Sequence, residues 1–406
     1  MATIADASVP PHVPAELVRP SPFVFGTITE ADPFNEWVPE IHAGPPIFYA
    51  PNAYPGMGPA WVVRRMADMR EIYMDTATFS SKDFSPYSKL VGDSWTNLPV
   101  EIDPPEHAKY RAFANPLFTP AAMAKLEDKI RKYAVEYVEG FRSRGECEFM
   151  SEFAFEFPIK VFLELMGLPL ERAPEFLEWE VGLLHAPDLP TMAAATRSVV
   201  DFLRGELDKR RDNPPDDAFG FALRAQVEGR PLTDDELVGF TFNLFIGGLD
   251  TVSTNMGLQM LHLAQHPEDQ RFLRENPARI PHAIEELMRA YAPVTVFRTC
   301  TRDVTFKGVE MKAGEKVAMM TTLVNRDPEE FEAPNEIRLD RKSRHTAFGF
   351  GVHTCIGMHL ARRELRIALE EMLARLPEFS VKPGHTMRRW LGMIQPVELP
   401  LVWKVD

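Results

Sequence analysis

Over residues 231–266 the apolar positions follow a helical pattern far longer than an ordinary helix. Thr233 and Glu236 stand at capping-box spacing at its start, and Pro267 stops it. At the standard rise, one helix over this span is roughly 50 Å long and crosses the whole molecule. Gly247 and Gly248 lie in its middle, each costing about 1 kcal/mol against alanine. The polar pair Asp250-Thr251 follows them inside otherwise apolar sequence. Helical patterning is also read over 66–76, onward from Asp103-Pro104-Pro105-Glu106, and through most of 120–210 with breaks near Gly167, Pro187 and Pro190. It returns over 278–291 and 358–374. Residues 47–49 and 61–63 read as a hairpin, with short strands near 294–300, 303–311 and 316–323, and strands and turns over 381–403. The stretches 80–103 and 325–347 lack any period, and the first is a candidate lid. The pattern predicts a mainly α chain with small β-sheets. One large domain spans 26–406, behind a Pro-rich arm over 1–25 that is extended or disordered.

Composition narrows the function. The 406 residues are 45% hydrophobic and 26% charged, ordinary for a globular protein with a large core. A net charge of −14 argues against general binding to nucleic acid or anionic membranes. Cys147, Cys300 and Cys355 make neither a disulfide framework nor a C-x-x-C pair, which fits a reducing cytoplasm. No signal peptide and no transmembrane helix are expected.

The candidate chemistry starts at Cys355, at the end of a Gly-rich loop and just before the helical run at Met358. Unpaired N–H groups and the positive end of a helix dipole favour a thiolate there. A thiolate is a nucleophile or a metal ligand, and a lone cysteine is most often a buried structural thiol. The glycines let the backbone approach something flat or bulky.

Phe348-x-x-Gly351-x-His353-x-Cys355-x-Gly357 resembles the haem-binding loop of the cytochromes P450, the haem-thiolate monooxygenases. Glu286-x-x-Arg289 matches that family's ion pair, and Gly247-Gly248-x-Asp250-Thr251 is similar to its oxygen-activating segment. The likeness is strongest to the camphor and terpenoid hydroxylase branch. It implies haem b between the long central helix and the Cys-loop helix, with Cys355 as the iron ligand and Phe348 beside it. Gly247 and Gly248 then open a groove for dioxygen, and Asp250 and Thr251 deliver protons. His107, Arg111, Arg298 and His353 match the contacts to the haem propionates. Trp95, Asn243, Leu244, Ile246, Val294, Val296 and Met393 line the substrate pocket, with the Trp95 indole N–H and Asn243 as polar handles.

Glu286 and Arg289 are structural, and Arg338 or Arg341 stands in for their third partner, since Glu336 occupies the position where the family has a basic residue. Lys109, Arg111, Lys342, Arg344, Arg362 and Arg363 form a candidate dock for an acidic [2Fe–2S] ferredoxin on the Cys355 side. The implied protein is a cytoplasmic monomer. It hydroxylates a small apolar substrate of monoterpenoid or norisoprenoid type, using O2 and electrons from NAD(P)H by way of a ferredoxin reductase and the ferredoxin. A peroxide-driven peroxygenase and a non-enzymatic haem sensor are the alternatives.

Overall fold

The computed structural model of the chain describes residues 9–54 and 58–405. Its largest sheet has five strands: β1 (Ile47–Tyr54), β2 (Gly58–Val63), β3 (Phe79–Ser80), β4 (Thr295–Cys300) and β5 (Lys316–Met320), in the order β1-β2-β5-β4-β3. β5 runs parallel to β2 with Val317 opposite Trp61, and antiparallel to β4 with Val317 opposite Arg298. Ala60, Trp61, Val62 and Val63 are all buried, so β2 is covered on both faces and reads as a continuous apolar run. This sheet fixes Arg298 at a buried central strand. Four smaller sheets of two or three strands complete the described β-structure.

The 303–311 expectation is corrected to a hairpin, Val304–Phe306 with Val309–Met311. Lys307 and Gly308 turn it with φ of 50° and 85°, the left-handed pair that a two-residue hairpin needs. The 316–323 strand stops at Met320, where a short helix begins.

The helices that build the site are α1 (Met66–Met74), α2 (Glu106–Ala114), α3 (Ala173–Leu184), α4 (Leu189–Arg210), α5 (Asp234–Gly248), α6 (Asp250–Gln265), α7 (Ile280–Ala290) and α8 (Met358–Arg375). The capping box forms as expected. Thr233 Oγ1 accepts from the Glu236 N–H at 3.3 Å, and the Glu236 carboxylate accepts from the Thr233 N–H at 2.6 Å. The single long helix does not form. Leu249, at φ −103° and ψ −79°, keeps a right-handed backbone but strays from ideal helical angles, and this bend divides the span into α5 and α6. The Leu249 carbonyl then gathers the N–H groups of Val252 and Ser253 and the Ser253 hydroxyl. By length and composition alone this pair is apolar enough to cross a membrane, but 72% of its most apolar window is buried inside the protein. It is the core spine. Val252, Met256 and Met260 pack with Leu365, Ala368 and Leu369 of α8, while Leu244 and Phe245 face the second core with Phe162 and Phe176.

The described part of the N-terminal arm, residues 9–25, lies against the domain. Val13 and Phe23 are buried, and Val18 pairs with Tyr49 of β1. The 80–103 stretch is mostly irregular and tied down by polar contacts. Arg204 of α4 reaches Asp93 at 3.0 Å, Arg197 donates to the Val91 carbonyl at 2.9 Å, and Ser94 donates to Asp235 at 2.8 Å.

Candidate active site

The Cys355 loop closes on itself. The Cys355 N–H donates to the Phe348 carbonyl at 2.8 Å, and Gly349 and Gly351 make the turn at φ 74° and 66°. A Cβ on Gly349 would also meet the Tyr73 hydroxyl at 3.2 Å, and one on Gly351 the Met74 sulfur at 3.0 Å. The positive φ is what calls for glycine at both positions. Phe348 lies under the Arg362 guanidinium, 4.6 Å from its ring centre. The N–H groups of Gly357 and Met358 donate to the Cys355 sulfur. Cys355 has open surface although its sulfur lies deep, so that surface borders an internal cleft rather than bulk water.

The expected lowering of the thiol pKa is corrected. Burial pushes it up, and outweighs the Gly357 and Met358 donors and the charges of Arg111 and Arg362, which pull it down. Depth defeats the helix terminus, and a bound cation is needed to hold a thiolate here. Cys147 and Cys300 are buried thiols, and burial pushes both up, Cys300 to about 12.

Beside the Cys loop four basic groups converge from three elements, α2, β4 and the loop itself. The rings of His107 (α2) and His353 are 4.3 Å apart. Arg298 (β4) sits 4.8 Å over the Tyr73 ring (α1), and one of its nitrogens donates to the Phe297 carbonyl at 2.8 Å. Arg111 (α2) holds Asn115 at 2.8 Å. Among the described residues none of these four makes an ion pair, and the buried His107 Nε2 and Arg298 Nε have no partner. Burial, Arg298, His107 and Arg111 together push the His353 imidazole down to about 3. Ser81, itself held by Asp103, meets His353 Nε2 at 3.1 Å. Two guanidiniums without an ion pair, with guanidinium and imidazole nitrogens left spare beside them, call for an anionic partner.

These donors fit a flat group that carries two carboxylates. The opposing surface fits as well, since a Cβ on Gly247 would meet nothing within 4 Å. Gly248 instead backs onto Phe162 at 3.4 Å. No group of three or more His, Cys, Asp or Glu side chains is placed to hold a bare metal ion among the described residues, so Cys355 suits an iron that brings its other ligands with it.

Asp250 and Thr251 follow the break at Leu249. Asp250 is fully buried. Its Oδ1 lies 3.3 Å from His185 Nε2 and accepts from Gln395 Nε2 at 2.5 Å, while Oδ2 has no partner. Gln395 also donates to Thr254 at 2.8 Å, which fixes the amide. The Thr251 hydroxyl donates to the Gly247 carbonyl at 3.1 Å, the back-bond available to any helical threonine. His185 and Gln395 stand 65 and 145 residues from Asp250 and carry no motif, so sequence reasoning missed both.

Several expected site residues are placed differently. The Trp95 indole N–H donates to Asp93 at 3.0 Å, and the ring lies tilted at 45° against Phe242, 4.6 Å between centres. The expected free donor at Trp95 is therefore corrected to a packed wall. Leu244 is buried in the same core as Trp95, and Ile246 packs against it. Val296 pairs with Met319 across the sheet, Val294 gives its carbonyl to Thr321, and Asn243 and Met393 are half-buried.

The third partner of the Glu286-Arg289 pair is Arg341, at 3.0 Å from Glu286 Oε1. Arg338 lends only its backbone N–H and Ser343 adds its hydroxyl. The six-cation dock is corrected as well. Arg362 is paired with Glu285, Arg363 with Glu127, and Lys109 with Glu106 and Glu228. Lys342 and Arg344 stay exposed.

The Cytochrome P450 family profile matches residues 188–399. "Probable cytochrome P450 127A1" of Sinorhizobium fredii is 40% identical over 93% of this chain and 92% of its own length. "Cytochrome P450-terp" of a Pseudomonas species is 28% identical over 96% of this chain and 97% of its own. The crystal structure of "Cytochrome P450 CYP101C1" superposes with a TM-score of 0.86 at 36% identity, covering 98% of this chain and all of the other. A cysteine in a glycine-braced loop, an anion-seeking basic cluster beside it and this likeness along nearly the whole chain agree: the protein belongs to the cytochrome P450 family of haem-thiolate monooxygenases.

Proposed function

We propose that this monooxygenase hydroxylates a small apolar substrate of monoterpenoid or norisoprenoid type. It works in the cytoplasm, with electrons passed from NAD(P)H through a ferredoxin reductase and a [2Fe–2S] ferredoxin. The observation that carries the site assignment is the unpaired basic cluster of His107, Arg111, Arg298 and His353 beside Cys355. These residues would hold the two haem propionates, Cys355 would hold the iron, and Phe348 would pack by the sulfur. When bound, haem supplies the iron at which dioxygen is split, one oxygen entering a C–H bond of the substrate and the other leaving as water with two protons and two electrons.

The chain's own residues do the rest. Gly357 and Met358 hold the sulfur by their N–H groups. Gly247 leaves its face of α5 open for dioxygen. Asp250, held by His185 and Gln395, passes protons inward, and Thr251 directs them once its hydroxyl turns from the Gly247 carbonyl. Trp95, Leu244, Ile246, Val294, Val296 and Met393 form apolar walls that exclude water, and Asn243 offers a carbonyl-oxygen partner. The apolar character of these walls and the likeness to a relative named P450-terp support the substrate class. Lys342 and Arg344 are the exposed cations left for an acidic ferredoxin on the Cys355 side.

Two spectra test this. The reduced carbonyl adduct is expected to show the red-shifted Soret band of thiolate ligation, and Cys355→Ala to lose both that band and turnover. A panel of terpenoids is expected to contain compounds that shift the resting iron from low to high spin. A histidine-type Soret band would refute the site, and no shift across the panel would refute the substrate class.

A further inference from the structure

Against Asp250 lies a cavity of about 120 Å³ whose lining does not include Gly247. Three titratable groups line it, Glu180 of α3, His185 just past the end of α3, and Asp250 at the start of α6. The six other lining residues are apolar or, in Gln395, an amide, so no further charge faces these three. Val181 is on the rim and 47% exposed, which places one end of the cavity at the protein surface. Glu180 is 2% exposed, and neither of its carboxyl oxygens has a hydrogen-bond partner. A charged carboxylate left bare in that position is heavily penalised, so the site favours the protonated acid.

His185 is 8% exposed and contacts the fully buried Asp250, with its Nε2 3.3 Å from Asp250 Oδ1 and its ring 5.4 Å from that of Trp390. A cavity of this size has room for several waters, and Glu180, His185, Asp250 and Gln395 give them polar partners.

We propose that Glu180 and His185 are the proton-entry route to Asp250, running from the Val181 rim through this cavity. Glu180 holds a proton taken from solvent and gives it through cavity water to His185. Protonated His185 gives its Nε2 proton to Asp250 Oδ1, and Glu180 is reprotonated at the rim. Each transfer moves one proton, and no oxidant or reductant is consumed. Burial, with the Asp250 charge adding, pushes the Glu180 carboxyl well up. For His185 burial lowers the imidazole pKa, but Asp250 raises it by more, so it takes up a proton more readily than a free imidazole. Glu180 and His185 are thus positioning and relay groups that act through Asp250. The inference rests on reading Asp250 as the inward proton donor.

The test uses the full-length haem-loaded protein and begins with no substrate or electron donor. Infrared spectra in H2O and D2O are expected to show carbonyl stretches of buried, protonated carboxylic acids; burial pushes the Glu364 carboxyl well up too, so its band stays, while one component is lost in Glu180→Gln and regained, shifted, in Glu180→Asp. With a substrate that gives the spin shift, Glu180→Gln and His185→Gln are expected to bind it normally. Product formation in both should slow by about tenfold, below the ~100-fold of a direct general acid. Its pH profile and solvent isotope effect should change as well. Acid bands that are unchanged in Glu180→Gln, or variants with the native pH profile and isotope effect, would overturn the relay. The infrared result reads the resting protein, so it stands or falls apart from the substrate assignment.

Discussion

Arg341 Nε lies 3.0 Å from Glu286 Oε1, so a second guanidinium joins Arg289 on one fully buried carboxylate. Arg338, three residues earlier, offers that carboxylate only its backbone N–H. The two arginines should therefore behave differently. Arg341→Ala is expected to cost about 2 kcal/mol, less than the 3–5 kcal/mol of a wholly unpaired buried charge because Arg289 remains. Arg338→Ala is expected to cost under about 0.5 kcal/mol. Denaturant unfolding of the two variants decides it, and equal losses would contradict the assignment.

Gly247 and Gly248 should also separate. Gly247→Ala meets open space and removes a helix-interior glycine, so folding stability is expected to rise by up to about 1 kcal/mol. Turnover is expected to fall, because the new methyl enters the oxygen groove. A variant that is more stable and fully active would show that this face of α5 is not the groove.

The Thr251 hydroxyl contributes one back-bond to the Gly247 carbonyl, so Thr251→Ala is expected to change stability by less than about 0.5 kcal/mol. Its effect should appear in coupling. Reducing equivalents are still consumed, but more emerge as hydrogen peroxide and fewer as product. Peroxide and product assayed per NAD(P)H oxidised measure this, and unchanged coupling would remove Thr251 from the proton path.

Glu285 faces both Arg362 and His345. Burial alone would raise its pKa, but these partners outweigh it and hold the carboxyl down at about 2, against an ordinary value of 4.5. A depressed carboxyl stabilises the fold above the unfolded value and loses that contribution as the pH falls through the folded one. Glu285→Gln is therefore expected to lose on the order of 2 kcal/mol at neutral pH, a gap that closes between about pH 4.5 and pH 2. Unfolding of both proteins across that window measures it.

Much of this was legible because it is local. The capping box at Thr233 needs one side chain and one N–H three residues on. Gly349 and Gly351 announce left-handed turns by their residue type. Other features depend on depth or distance, which residue order does not carry. The thiol of Cys355 rises instead of falling because its burial exceeds the reach of two nearby N–H groups. The basic dock shrinks because Arg362 and Arg363 find Glu285 and Glu127 at separations of 77 and 236 residues. Leu249 is an ordinary helix former, so nothing in its residue type marks the bend between α5 and α6.

That bend has a thermodynamic side. An unbroken ladder of amide bonds opens and closes as one unit, whereas the ladder here is cut at Leu249. The capped stretch through Gly248 and the stretch from Asp250 onward can then differ in their local opening free energies. Amide hydrogen exchange should report two protection levels along the spine, with the weaker one at the first turn of α6. Asp250 and Thr251 would then sit on a hinge that can shift during turnover while the helix ahead of it stays wound.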